Sequence, residues 1–190
     1  MRGLGLLLLG ATPAAAQEIA IQVLAGVGGS AEADDLRRPS GPSEALTSSD
    51  LDGELGLEGR IDTELSPDLW AGVRLAYLTA DAGDGSVSAL DAGLTVRLVF
   101  PQRTVDLYAL VGAGLSFLTV EEALGRPETF DGTGWHCLLG GGLQVPITDT
   151  LRALAGLAWY RQAGDLKAEE GLALSGLVAH RLLLMGGVSF

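Results

Sequence analysis

The sequence predicts an all-β protein, an eight-stranded antiparallel transmembrane β-barrel that runs as an up-and-down meander. Three observations predict it: apolar and polar side chains alternate with a period of two in several segments, short turns alternate with longer polar connections, and the composition is apolar without a helix-length apolar run. The 190 residues are 47% hydrophobic and include 28 glycines, beside a net charge of −12. This composition excludes a disordered chain. Acidity of this size argues against nucleic acid as a partner.

Residues 1–16 are expected to be a signal peptide, which leaves residues 17–190 as the barrel domain. Arg2 precedes a short apolar run from Leu4 to Leu9. Small residues at Ala14 and Ala16 then predict cleavage before Gln17 and export by a Sec-type route. No later segment approaches eighteen uninterrupted apolar residues, so the mature chain needs another way to place its apolar surface. A membrane barrel provides one.

The stretch LDGELGLEGRIDTELS shows the alternation most clearly. In an extended strand, successive side chains point to opposite faces. The apolar or small set is Leu55, Leu57, Gly59, Ile61, Thr63 and Leu65, and the polar set is Glu54, Gly56, Glu58, Arg60, Asp62 and Glu64. A period of two this regular predicts a strand.

Eight segments have strand character, and most exceed the roughly 9–11 residues that a tilted strand needs to cross hydrocarbon. They are Glu18 to Gly29, Asp52 to Leu65, Leu69 to Thr79, Val87 to Phe100, Val105 to Thr119, Gly134 to Ile147, Leu151 to Gln162, and Ala173 to Phe190. Short turns are predicted at residues 66–68, 100–104 and 148–150, and longer loops at 31–50, 80–86, 121–132 and 163–170. This asymmetry is typical of outer-membrane barrels.

Glycines on the polar faces favour a polar interior with lipid on the apolar side. Gly56, Gly72, Gly93, Gly112, Gly114, Gly140 and Gly142 share faces with the charged residues. Such small residues fit a narrow lumen where side chains from eight strands meet, whereas on an exposed sheet face they would weaken the strand. Leu110 and Leu118 are apolar exceptions on the polar face of their strand.

Aromatic residues on the apolar faces predict girdles at two membrane interfaces. The predicted girdle residues are Tyr77, Phe117, Trp135 and Trp159 near the long loops, and Phe100 and Phe190 near the turns. Trp70 falls on the polar parity, which would require a bulge after Pro67 or a register shifted by one.

Two stretches carry a family resemblance. VDLYALVGAGLSF at residues 105–117 resembles the YxxxGxG strand of small outer-membrane barrels of the OmpA and OmpX type, and WHCLLGGGLQVPITDTLRALAGLAWY at residues 135–160 is similar to their following hairpin. The closing residues LLLMGGVSF, with Leu184, Val188 and Phe190 on one face, resemble the signal that the barrel-assembly machinery reads; the glycine expected at position 185 falls at Gly186. The resemblance implies an outer-membrane location among lipid and lipopolysaccharide.

A polar interior must satisfy its own charges, because an unpaired buried ion costs several kcal/mol. The residues predicted to form a lumen ion-pair network are Glu54, Glu58, Arg60, Asp62, Glu64, Arg74, Asp91, Arg97, Asp106, Arg152 and Arg181. If the turn after Phe100 is tight, Arg97 lies opposite Asp106, and Arg74 lies diagonal to Glu58 and Asp62. Such a network closes and stiffens the barrel; the alternative is a narrow ion or small-solute pore.

The residues that an enzyme would need are poorly matched. A barrel that modifies lipid A requires an activated serine beside a histidine, but His136 and His180 are followed by Cys-Leu and Arg-Leu, with no His-x-Ser pair. No catalytic residue, metal site or cofactor is therefore assigned. A soluble exported barrel of the lipocalin type is a further alternative, and it would require inward apolar residues.

The loops are the remaining functional surface. Their acidic residues are Asp34, Asp35, Asp81, Asp84, Glu121, Glu122, Glu169 and Glu170. Residues 81–85 could offer oxygen ligands to a divalent cation but lack a calcium-loop pattern. The sequence thus predicts a monomeric barrel with a structural or surface-interaction role.

Overall fold

The computed structural model describes residues 16–37, 49–122, 128–168 and 171–190 and shows ten strands in one sheet. Eight are long: β1 (Gln17–Glu32), β4 (Asp52–Ser66), β5 (Leu69–Ala82), β6 (Gly85–Phe100), β7 (Asp106–Glu121), β8 (Thr129–Pro146), β9 (Arg152–Lys167) and β10 (Ala173–Ser189). Two short ones, β2 (Asp35–Arg37) and β3 (Ser49–Asp50), lie between β1 and β4. Among the residues described, no helix is long and apolar enough to cross a bilayer.

The eight long strands close into an antiparallel barrel. Each pairs with its chain neighbour, and β1 also pairs with β10, from Ala20 opposite Ser189 to Glu32 opposite Val178. Backbone bonds between Ile19 and Phe190, 2.8 and 3.0 Å long, extend this seam to the turn-side rim. At the loop-side rim β2 pairs with β10 and β3 with β1, so the first connection continues the wall. The predicted eight-stranded barrel is confirmed.

The orientation of the strands follows from their pleat. Leu57 and Ile61 of β4 are 56% and 48% exposed on the outside, while Glu58 and Arg60 between them are 2% exposed in the interior. The same alternation recurs around the wall, so the exposed outer surface is an apolar belt and the interior carries the charges. A barrel of the lipocalin type has the opposite arrangement, with its apolar residues inside.

The connections at the loop side are shorter than predicted, most clearly between β5 and β6. Residues 80–86, predicted as a long loop, form a two-residue turn, because β5 continues to Ala82 and pairs there with Gly85. Gly83 adopts a φ of +65°, the left-handed conformation that lets so short a turn reverse the chain. The two strands therefore extend into the region predicted to be loop. The strands that border two other predicted loops are also longer than predicted, because β8 starts at Thr129 and β9 ends at Lys167.

The interior holds an apolar cluster at its loop end, which the sequence did not predict. This loop-end cluster is at most 5% exposed and consists of Ala31, Ala33, Leu36, Leu51, Ala80, Ala82, Val87, Ala89, Leu118, Val120, Phe130, Leu166, Leu174, Leu177 and Ala179. A second apolar cluster, which includes Leu110 and Leu138, lies among the charged residues farther down. Leu118 and Leu110, the apolar exceptions on the polar face of β7, thus belong to the interior.

Candidate functional site

The polar lumen is the candidate functional site, and β4 supplies its centre. Alternation along β4 aims Glu58, Arg60 and Asp62 inward in succession. Arg60 Nε donates to Asp62 Oδ2 at 2.7 Å, and its Nη1 lies 3.4 Å from Glu58 Oε1. Arg74 of β5 donates to the other oxygen of Glu58 at 2.7 Å. The register places Arg74 diagonal to Glu58, as predicted.

The network continues toward the turn-side rim through Arg97 of β6. Arg97 Nη2 lies 3.4 Å from Asp62 Oδ2, and its Nη1 donates to Glu18 Oε1 at 2.8 Å. Glu18 of β1 also accepts from Arg152 at 3.3 Å, and Arg152 is 40% exposed at the rim. Charges of opposite sign therefore alternate in one chain of contacts: Arg74, Glu58, Arg60, Asp62, Arg97, Glu18, Arg152.

A second group of buried polar residues surrounds Asp91 of β6. Tyr160 and Gln162 of β9 both donate to its carboxyl group, Gln162 at 3.0 Å. The Tyr160 hydroxyl also accepts from Arg74 at 3.2 Å, which links this group to the network of β4. His136 of β8 stacks on the Tyr160 ring with centroids 5.4 Å apart, and its Nδ1 lies 3.6 Å from Asp91. The side chains are 0–1% exposed.

The same group contains a serine, a histidine and an acid, the residue types of a catalytic triad. Ser116 Oγ lies 3.2 Å from His136 Nδ1, the ring nitrogen that also faces Asp91. A triad needs the acid on one ring nitrogen and the nucleophile on the other. Ser116 and Asp91 are 0% exposed, so no substrate carbonyl can reach the hydroxyl. The arrangement is that of a packed polar core.

Arg181 and Glu54 form a separate buried ion pair near the barrel seam. Arg181 Nη1 of β10 donates to Glu54 Oε1 of β4 at 2.6 Å, and the side chains are 0% and 2% exposed. Strand β1 lies between β4 and β10 in the sheet, so the two side chains reach each other over the inner face of β1, at Gly26. A Cβ at Gly26 would lie 2.6 Å from Glu54 Cβ, so the glycine provides the space for the contact.

Two of the predicted network residues lie outside it. Asp106 does not face Arg97, because the five-residue connection 101–105 places Arg97 opposite Leu110. Asp106 instead accepts from the Gln102 backbone N–H at 3.2 Å and organises that turn. Glu64 is half-buried at the turn-side rim and forms no ion pair with a described residue.

Trp70 is a lumen residue, so both explanations offered for its parity were wrong. It pairs with Arg97 in the register, and the Arg97 guanidinium lies 5.2 Å from its ring centroid. A bulge does occur, but in β4 between Glu64 and Ser66, and it leaves the parity of β5 unchanged. Glu18 was not among the predicted network residues, although its inward position follows from the alternation Glu18, Ala20, Gln22 along β1.

The predicted girdle residues all lie on the outer face of the wall. Their exposures are 50% for Tyr77, 49% for Phe100, 52% for Phe117, 46% for Trp135, 41% for Trp159 and 51% for Phe190. Leu184 and Val188 share the outer face with Phe190, at 47% and 37%. His136 and His180 differ: His136 is interior, while His180 is on the outside and stacks on Trp159 with centroids 6.0 Å apart.

Acidic side chains line a shallow depression at the loop-side rim. Its volume is about 450 Å³, and Asp81, Asp84, Glu121 and Glu122 border it. Within the described parts of the chain, no three His, Cys, Asp or Glu side chains are grouped closely enough to hold a metal ion. Asp34 is described and Asp35 only in its backbone, while Glu169 and Glu170 lie outside the described residues.

The sequence profile of the "Outer membrane protein beta-barrel domain" matches residues 3–171. The chain belongs to this family. Among solved structures, this barrel domain is similar to Neisserial surface protein A, with 12% identity, 91% of this chain and 95% of that chain covered, and a TM-score of 0.57. It is also similar to outer membrane protein AlkL, solved in lipid bilayers, with 14% identity, coverage of 100% and 96%, and a TM-score of 0.54.

A weaker likeness is to the outer membrane protease OmpT from Escherichia coli, with 9% identity, coverage of 92% and 96%, and a TM-score of 0.46. These identities establish a shared fold and no more. A search of curated protein sequences found no match.

Proposed function

We propose that this chain is a non-conducting barrel of the outer membrane, which acts structurally or through contacts of its loops and catalyses no reaction. One observation carries the closed lumen: Arg60, Arg97 and Arg181, the largest of the fully buried side chains, are 1–2% exposed. A channel wide enough for water would leave these guanidinium groups in contact with it. Above them the loop-end cluster fills the barrel with apolar side chains.

The interior ionic groups balance one another, which supports a structural role for them. The ion pairs join five arginines, namely Arg60, Arg74, Arg97, Arg152 and Arg181, to four carboxylates, namely Glu18, Glu54, Glu58 and Asp62. A fifth interior carboxyl group, that of Asp91, accepts from Tyr160 and Gln162 and faces His136. A selective pore usually presents a ring of one sign to its ion. The excess negative charge of the chain therefore lies outside the lumen, where the acidic loop-side rim is the surface that a partner or a cation-bridged lipopolysaccharide would meet.

Planar-bilayer recording tests the closed lumen. The purified chain is expected to insert without steady conductance under conditions in which a general porin conducts. Steady unitary currents that vanish when the protein is omitted would contradict the proposal. As a positive control within this chain, replacing Phe130 and Leu118 of the loop-end cluster by alanine is expected to raise the frequency of brief openings.

A narrow pore is the second candidate, because several interior polar atoms have no protein partner. Arg97 Nε, Arg181 Nε and His136 Nε2 are buried without a hydrogen bond to any described residue. Buried polar atoms of this kind are usually satisfied by ordered water. A connected file of such waters would carry protons or small ions, and the same recordings at high gain distinguish it from isolated waters.

The absence of a reaction rests on the burial of Ser116 and Asp91 and on the geometry around His136. Mass spectrometry of lipid A from cells with and without the gene is expected to give identical species. A missing or added acyl chain would contradict this proposal.

Export, assembly and oligomeric state complete the proposal. We expect cleavage before Gln17, recognition of Leu184, Val188 and Phe190 by the barrel-assembly machinery, and a monomer among outer-membrane lipid and lipopolysaccharide. The outward position of the three residues on one face of β10 and its end supports their availability to a receptor. Replacing Phe190 by serine is expected to lower the folded fraction in the outer membrane severalfold, whereas refolding of the purified variant in detergent should change little.

A further inference from the structure

A patch with an arginine, a histidine and two tryptophans lies on the outer face of the barrel wall. Arg161 of β9 and His180 of β10 are direct cross-strand neighbours, and both point outward, since Tyr160, Gln162, Ala179 and Arg181 beside them are interior. Two tryptophans flank them: the Arg161 guanidinium carbon is 5.5 Å from the ring centroid of Trp135, and His180 stacks on Trp159. We call these four residues the Arg161 patch.

Among the strand arginines whose side chains the structure describes, Arg161 alone has no carboxylate partner. Its outward neighbours across the strands are Cys137 of β8 and His180 of β10, and neither is acidic. Asp165 is the next outward acid along β9, but four residues of strand separate the two by about 13 Å. Within the described part of the chain, Arg161 forms no ion pair, and its Nε is buried without a hydrogen-bond partner.

The Arg161 patch lies where the outer surface changes from apolar to polar. Toward the turn-side rim, β9 and β10 continue outward with Leu157 and Leu184, which are 48% and 47% exposed. Toward the loop-side rim, β9 continues with Asp165 and Lys167, both exposed. In a membrane barrel this boundary, marked by aromatic residues, is the level of the lipid headgroups.

We propose that the Arg161 patch binds the phosphate of an anionic lipid in the leaflet at the loop-side rim. A guanidinium without a counter-ion at headgroup level attracts an anion, and its planar donors fit a phosphate. The leucines below the patch offer contact for the acyl chains of the same lipid, which a free anion could not use. The ring of Trp135 holds the Arg161 guanidinium in place against the wall, and the ring of Trp159 does the same for the His180 imidazole.

Native mass spectrometry of the detergent-extracted chain tests this proposal, with bisphosphorylated lipid A and its dephosphorylated form as probes. The wild-type chain is expected to retain the phosphorylated lipid and to release the other. Because a hydrogen bond to a charged group contributes about 1.5–3 kcal/mol, Arg161→Gln is expected to weaken retention about ten- to hundredfold. Arg161→Lys should fall between the two, since a lysine keeps the charge but not the paired donors.

Arg103→Gln is the matched control, because Arg103 is an exposed arginine in the turn at the opposite rim. It should bind like the wild type. Equal retention by Arg161→Gln, equal loss in Arg103→Gln, or equal binding of dephosphorylated lipid A would each overturn the proposal. Displacement of the lipid by millimolar inorganic phosphate would overturn the assignment to a lipid. The comparison of the two lipids on the wild-type chain remains decisive if a variant fails to show the heat-dependent gel mobility of a folded barrel.

Discussion

Removing one partner of the Arg181–Glu54 pair is expected to destabilise the barrel strongly. The pair is 0% and 2% exposed and has a single contact of 2.6 Å. Arg181→Met leaves the Glu54 carboxylate buried without its cation. Deletion of one partner of a buried ion pair costs roughly 3–5 kcal/mol of unfolding free energy. Glu54→Met should cost a similar amount, because it leaves the Arg181 guanidinium buried without a carboxylate.

The double variant Arg181→Met with Glu54→Met separates pairing from burial. Arg181 Nε and Nη2 have no hydrogen-bond partner in the described chain, so the pair is incompletely satisfied. Replacing a buried pair by apolar residues of similar size is often neutral or stabilising by about 1–4 kcal/mol. We therefore expect the double variant to be more stable than either single variant by at least about 2 kcal/mol.

Urea unfolding of the barrel refolded in lipid vesicles, followed by tryptophan fluorescence and by gel mobility, measures these differences. Arg152→Met is the control, because Arg152 is 40% exposed and its pair with Glu18 should contribute no more than about 1 kcal/mol. A single Arg181 variant as stable as the wild type would refute the argument. So would a double variant whose loss equals the sum of the two single losses.

Three further predictions test the wall and the interior. Leu94→Arg on the outer face, 68% exposed, is expected to cost about 2–4 kcal/mol in vesicle unfolding, against about 0–1 for Leu65→Arg near the turn-side rim; equal losses would contradict lipid contact. Gly93→Ala would place a Cβ 2.6 Å from a backbone oxygen and should cost about 1–3 kcal/mol in the same assay, whereas Gly59→Ala, with open space around it, should be neutral. Asp91→Asn weakens charge-assisted bonds from two donors and should lower stability by about 1.5–3 kcal/mol by urea titration; an unchanged midpoint would count against the Asp91 group.

The sequence predicted the strands and the direction of their side chains because both follow from the covalent pleat. Once Leu57 and Glu58 occupy opposite parities, one must face outward and the other inward. The choice between lipid and a soluble core depended on where the glycines lay. Gly93 shows why: its missing side chain makes room for the imidazole of His136 in a narrow interior.

Registers across turns were predicted less well, because one residue more in a connection moves every partner. The contact of Arg74 with Glu58 follows from a hairpin whose register is close to the simple one. The connection after Phe100 is longer than a tight turn, so Arg97 pairs with Leu110 in the register. Its ion pair is instead with Glu18, across the barrel. Contacts across a lumen depend on the curvature of the whole wall, and local sequence patterns do not contain that information.

The loop-end cluster was missed for a different reason. Its members come from seven of the eight long strands and from the first connection, and on each strand they are only a few apolar residues on an otherwise polar parity. In the sequence of β7, Leu118 and Val120 are only two exceptions to the alternation of polar and apolar residues. In the structure they lie in one cluster with Phe130 and Leu166. An apolar cluster assembled from many strands is visible only in three dimensions.

The two ends of the interior differ chemically: the turn-side end has a recess that solvent can enter, and the loop-side end is filled with apolar side chains. At the turn-side rim a recess of about 250 Å³ reaches Glu18 and Arg152, whereas hydrocarbon side chains stop the interior beneath the loops. With the closed lumen proposed above, buffer on the turn side reaches the lowest carboxylate of the network, and buffer on the loop side reaches none of the described ion pairs. A change of salt or acidity would be sensed by the ion pairs from one compartment alone.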